Sequence, residues 1–442
     1  MSSRLSAAST ILLLGVLACA CQRTSIPSAQ PLPPVGLSPT GAVTPTPSLA
    51  TSISDLRLIP ANLSGEWRLV GLLRNDSDFA AQDVLLEASL VDAIGRVQTR
   101  KQVSLPLPSL QTGEAAPFEA FFPDVPPGAR ATIRVIAYQP GQEESLPVQV
   151  FGLDAISTND GGLAVTGRVR NTGSRPALLQ GLAILLRDPS NRELVGVALR
   201  TAGVTRLQPG EVEPFLAVAR DFSGEAILES YVDSVRAAES GPSALLLAAD
   251  PAFSWTDQGK LFVVGELKNP TPANMTTALV VSLRSGGVLA GLAELVFPVP
   301  LGPGEIRPFC IDEFPGLEER LRREGGEIES LTLEVRPDPG RTLRVTQVPA
   351  PLDVRLTGYE DVGSRLILRG EVVNSTDLTR SAAILASARS TEGKALTAAS
   401  LILEGTLQPG ESAPFLLTMP WPQGARAAMS EFDVRAFALP PT

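Results

Sequence analysis

The only groups that recur in a pattern able to do acid–base work are four glutamates, Glu114, Glu211, Glu305 and Glu411. Each sits in the pattern L-x-[PT]-G-E-x-x-P-F, which runs Leu110 to Phe118, Leu207 to Phe215, Leu301 to Phe309 and Leu407 to Phe415. Two carboxylates facing one bond can act as general acid and base, but here they come one per pattern, at a turn. A group repeated identically four times is read as holding that turn through nearby backbone N–H groups. The chain has no histidine. That excludes Ser-His-Asp triads, Cys-His dyads, HExxH zinc sites and imidazole proton transfer. Asn75-Asp-Ser-Asp78 has the oxygens of a calcium loop. Its counterparts Asn171-Thr-Gly-Ser174, Asn269-Pro-Thr-Pro272 and Asn374-Ser-Thr-Asp377 do not keep them, and no D-x-D-x-D-G spacing exists. Thus the sequence assigns no catalytic residue, no metal ligand and no cofactor, and predicts a protein that is not an enzyme. A net charge of −10 with 5% aromatic residues argues against a nucleic-acid partner.

The elements that carry the glutamates repeat as well. A second motif, G-x-[LV]-x-N, precedes each of them: Gly71 to Asn75, Gly167 to Asn171, Gly265 to Asn269 and Gly370 to Asn374. The asparagines are 96, 98 and 105 residues apart, and the phenylalanines closing the other motif are 97, 94 and 106 apart. Matched pairs at a fixed period mark tandem copies of one unit. The boundaries fall at 52–140, 141–240, 241–348 and 349–442.

Inside each copy the apolar residues alternate. Leu163, Val165 and Val169 alternate with Thr166, Arg168 and Arg170, while Leu366, Leu368 and Val372 alternate with Ile367, Arg369 and Glu371. A period of two with one polar face predicts antiparallel sheet that is wet on one side. The glycine on the inward row predicts a bulge or a close approach of the opposite sheet. Each closing phenylalanine reads as the aromatic plug of a core. The expected fold is all-β, four tandem immunoglobulin- or fibronectin-like sandwiches of about seven strands. Leu317 to Glu324 has helical character and reads as a loop insertion with a solvated charged face. Phe79 and Leu378, in the loops after the first and last asparagines, are expected to be exposed apolar tips. Cys310 reads as a buried, inert thiol.

The N-terminus adds a compartment. Arg4, an apolar run from Ile11 to Ala18 and a small-residue end form an export signal, too short for a membrane span. Val16-Leu-Ala-Cys19 resembles the lipobox of bacterial lipoproteins, and Ala18-Cys-Ala-Cys21 is an overlapping second candidate. Lipidation is expected at Cys19 or Cys21, within a signal segment of 1–21. Residues 22–51, rich in Pro, Ser and Thr, read as an extended tether. Asn62, Asn75, Asn274 and Asn374 head glycosylation sequons, which a bacterial lipobox leads us to expect unmodified.

The G-x-V-x-N strand, the apolar strand ending at Asp92 or Asp188, and the L-x-P-G-E-x-x-P-F turn together resemble the FxLYD-type immunoglobulin-like domain of bacterial envelope proteins. The aspartate is replaced in the last two copies by Ser285 and Ser390. The resemblance implies β-sandwich modules and carries no established chemistry to these residues. The expected function is an exported, lipid-anchored, extracytoplasmic envelope protein. Its membrane contact is the lipid, and its modules serve as spacers or meet envelope proteins or glycans. The alternatives are an accessory subunit or enzyme of cell-wall glycans, or a ligand-binding lipoprotein.

Overall fold

The computed structural model describes residues 48–61, 65–141, 145–237, 246–327 and 330–440, so Cys19, Cys21 and the tether up to residue 47 lie outside the described residues. Strands take 63% of the chain and helix 3%. The fold is all-β, and every strand pairing is antiparallel.

Along the sequence the strands fall into four successive stretches, called quarters below, with one motif pair in each. The first holds β1 (Thr51–Pro60), β2 (Trp67–Asn75), β3 (Ala80–Val91), β4 (Val97–Ser104), β5 (Ser109–Leu110), β6 (Ala115–Phe122) and β7 (Arg130–Gly141). The second holds β8 (Val148–Ser157), β9 (Leu163–Asn171), β10 (Ala177–Arg187), β11 (Leu194–Gly203), β12 (Arg206–Leu207), β13 (Val212–Ala219) and β14 (Ile227–Arg236). In the third are β15 (Leu246–Trp255), β16 (Leu261–Lys268), β17 (Asn274–Thr276), β18 (Ala278–Ser285), β19 (Val288–Val296), β20 (Ile306–Ile311), the helix α1 (Leu317–Glu324), β21 (Leu331–Pro337) and β22 (Leu343–Val345). The fourth has β23 (Pro351–Val362), β24 (Arg365–Val373), β25 (Ser381–Ser390), β26 (Ala395–Ile402), β27 (Ser412–Pro420) and β28 (Met429–Leu439).

One three-strand order recurs in all four: β1-β2-β6, β8-β9-β13, β15-β16-β20 and β23-β24-β27. A second set recurs beside it, with β3, β10, β18 and β25 each paired on both sides. In the second quarter β11 also pairs β13, and in the fourth β23 also pairs β28, so there the two sets run together.

The inward glycines have a shared reason. Gly71, Gly167, Gly265 and Gly370 stand directly across the ladder from Phe118, Phe215, Phe309 and Phe415. A Cβ on any of them would lie 2.5–2.7 Å from that ring. The ring covers the glycine, and the pair fills the core as one unit. The strand on the glycine's other side slips its register there, between Ser54 and Arg57 in β1 and between Phe151 and Asp154 in β8. The expected bulge therefore lies on the neighbouring strand, and the close approach comes from within the same sheet. Phe118, Phe215 and Phe309 are each 1% exposed and Phe415 5%, in four separate cores.

The expected wet face is present only in part. In β2 the outward residues Arg68, Val70 and Leu72 are buried, as are Ala164 and Thr166 in β9. These faces are covered by the following quarter. In the fourth quarter the simple alternation is kept, with Arg365, Arg369 and Glu371 exposed on β24 and Pro414, Leu416 and Thr418 exposed on β27.

Candidate functional site

The two motifs of each quarter are wired to each other through the asparagine. Asn75, Asn171, Asn269 and Asn374 are fully buried. Their Oδ1 accepts the N–H two residues on, at Ser77, Gly173, Thr271 and Thr376. Their Nδ2 donates to the carbonyl four residues on, and also to Leu110, Leu207, Leu301 and Leu407, the first residue of the glutamate motif. The glutamate closes the turn. Its Oε2 accepts the N–H three residues back, at Gln111, Gln208, Gly302 and Gln408. The glycine before it has φ between 71° and 79°, as position i+2 of a type II turn requires. All four carboxylates are thereby held on the backbone.

Ser77 bonds Ala50, so the calcium-like loop satisfies itself. Burial of Asn75 and Asn374 leaves no room for a glycan. Among the described residues, no three Cys, Asp or Glu come together to hold a metal. Phe79 is half-buried, its ring 6.3 Å from that of Tyr138, so it is not an exposed tip; Leu378 is exposed. At the β3 hairpin Asp92 accepts the N–H groups of Ile94 and Arg96. Ser390 does the same for Glu392 and Lys394, which explains how the fourth quarter dispenses with the aspartate.

Chemistry that does not repeat lies where consecutive quarters meet, outside both motifs. At the first junction Arg68, 2% exposed, leaves β2 and enters the second quarter. Its Nη1 donates to the Val195 carbonyl at 3.1 Å, and its Nη2 to those of Arg220 and Asp221 at 2.6 and 2.7 Å. The guanidinium stacks over Phe121 at 5.4 Å. Its Nε stands 3.1 Å from Glu119 Oε1 without hydrogen-bond alignment, so that pair is held by charge alone. Burial pushes the Glu119 carboxyl up to about 7, against the pull of Arg68. Around this polar centre Val70 and Leu72 pack on Ala183, Leu185, Leu194 and Val197.

The second junction uses side-chain pairs. Asp338, fully buried, accepts the Thr205 N–H at 3.1 Å and its hydroxyl at 2.8 Å. Arg336 forks onto Glu213. From α1, Arg320 and Arg323 both reach Asp154 at 2.6 Å, and Asn159 donates to Glu318 at 2.7 Å. Burial works against the Asp154 charge, yet Arg323 and Arg320 hold its carboxyl below the usual range. Hence α1 is not the solvated insertion expected. Its Leu317 and Leu321 enter the core of the third quarter, and its arginines clamp the second. A groove of about 440 Å³ opens beside this clamp, between Asp154, Arg168, Arg284 and Glu324.

At the third junction Arg389 donates to Glu266 at 2.6 Å, and the Trp255 carbonyl accepts the Gln423 N–H at 2.7 Å. Cys310, half-buried where the sequence reads it as buried, faces Ala398 across a narrow cleft, and desolvation pushes its thiol up to about 12. No helix among the described residues is long and apolar enough to cross a membrane.

No family model and no curated protein matches the chain. Among solved structures, one match is the crystal structure of Salmonella alpha-2-macroglobulin reacted with methylamine. The two are 10% identical, the match covers 89% of this chain and 30% of that one, and the TM-score is 0.12. A likeness at that score carries no argument about fold or function.

Proposed function

We propose that the chain is an exported, lipid-anchored envelope protein. On this reading its quarters are four tandem immunoglobulin-like sandwich domains of the FxLYD type, acting as a non-catalytic spacer or interaction array. The lipid sits on Cys19 or Cys21, and residues 22–51 hold the domains off the membrane. The observation that supports this most is that the first two junctions each bury a charged side chain on the neighbouring quarter, Arg68 at the first and Asp338 at the second. Independent binding modules on flexible linkers have no use for a guanidinium buried between them. A spacer does, because stiffness keeps its ends apart. The turn glutamates support the non-catalytic part, since each is tied to its own backbone.

Two experiments test the two halves of the reading. Fatty-acid labelling of the expressed chain should be lost when Cys19 and Cys21 are both serine; label retained in the double variant overturns the anchor. Small-angle scattering of that same lipid-free variant should report a stiff particle. A profile of freely jointed beads overturns the spacer.

A further inference from the structure

Resting on the reading of stacked modules, the three junctions share one geometry. The outward face of the three-strand sheet in one quarter is covered by the next quarter's β11, β19 or β26. The residue after each plug phenylalanine reports this. Glu119 lies against Val197, Leu216 is 1% exposed in a cluster with Val280 and Leu292, and Cys310 faces Ala398. The fourth equivalent, Leu416, is 55% exposed, and no other quarter among the described residues lies over it.

The face around Leu416 is thus a junction surface without its partner. Val362, 50% exposed, and Ile367 lie on it beside Leu416. It also carries Asp353, Arg355, Glu360, Arg365, Arg369 and Glu371, three charges of each sign, of which Arg369 already donates to Glu360 at 2.6 Å. What could cover it from a second copy of the chain is limited. The faces that cover junctions in the second, third and fourth quarters are already engaged. The corresponding face of the first quarter is polar: Arg100, aligned with Val197, Leu292 and Ala398, lies with Arg134 by Glu87. Such a polar face caps the stack: where the other quarters present Val197, Leu292 and Ala398 it presents Arg100, which gives the apolar Leu416 nothing to pack on.

We propose that the open face of the fourth quarter pairs with the same face of a second copy, in an isologous dimer. A two-fold axis brings Leu416 and Ile367 onto their own copies. It also lets Arg355 and Arg365 of one face meet Asp353 and Glu371 of the other, as a self-complementary patch demands. The dimer closes, so the polar cap on the first quarter ends the assembly there.

Sedimentation of the full chain, with Cys19 and Cys21 as serine, tests this. Expected is a dimer, weakened about tenfold or more by Leu416→Glu and unchanged by Arg100→Glu. Leu416→Cys should cross-link to its own copy under oxidation. A monomer at high micromolar concentration overturns the proposal. So does a dimer insensitive to Leu416→Glu, or one broken by Arg100→Glu instead. Scattering that still reports a stiff particle in any of those cases leaves the spacer reading standing and this one fallen.

Discussion

The first and second junctions hold neighbouring quarters by opposite means. Arg68 reads three main-chain carbonyls from a buried position, with Glu119 as an unaligned companion. The second junction spreads its contacts over the fully buried Asp338, the Arg336–Glu213 fork and the α1 clamp, in which Arg323 and Asp154 are 43% and 39% exposed. A buried charge is expensive to leave alone, while an exposed pair is screened and individually weak. The first junction should therefore fail all at once, and the second by degrees and with salt.

The largest effect strikes both. Phe215→Ala empties the plug of the quarter they share and should cost about 3–5 kcal/mol, read as loss of the corresponding denaturation transition. If that transition does not move, the Gly–Phe pair is not the core unit. Next, Arg68→Met strands Glu119 in the interior and should cost about 3 kcal/mol. Adding Glu119→Gln should restore part of it; an unchanged midpoint in Arg68→Met would erase the contrast between the junctions.

The pH dependence sharpens the comparison further. The folded pKa of Glu119 lies above its ordinary value of 4.5, at about 7, so the native state holds the proton more tightly than the unfolded chain. That stabilisation is complete below about pH 4.5 and is lost as pH rises through 7. Melting at pH 5 and pH 8 should show the loss in the parent chain and not in Glu119→Gln. The smallest effect is Asp154→Asn, about 1 kcal/mol or less, fading as salt is raised. A large, salt-independent loss would mean that the α1 clamp behaves like the buried Arg68.

The interior of each quarter was legible in the sequence because it obeys local rules. Alternation gives the strands, Gly opposite Phe gives the plug, and Asn with Pro-Gly-Glu gives the turn. Even the helix at Leu317–Glu324 was visible from its spacing. What was not legible is what each outward face touches. Val70 and Leu72 read as part of one sheet, and nothing in their spacing says that a second sheet covers them. Arg68 looked like an ordinary outward residue, because its partners are carbonyls, which every residue has. Arg320 and Arg323 looked solvated because Asp154 is more than 150 residues away in sequence.

That same choice of partner sets how freely the first junction can drift. A guanidinium that bonds only to main-chain oxygens makes no demand on the side chains that carry them. Val195 and Arg220 can change without loosening the joint. Asp221, at φ 55°, is restricted only to residues that accept a left-handed backbone. Position 68 has no such freedom. Substitutions at this junction are therefore tolerated on one side and not on the other, and its two halves have no reason to change in step.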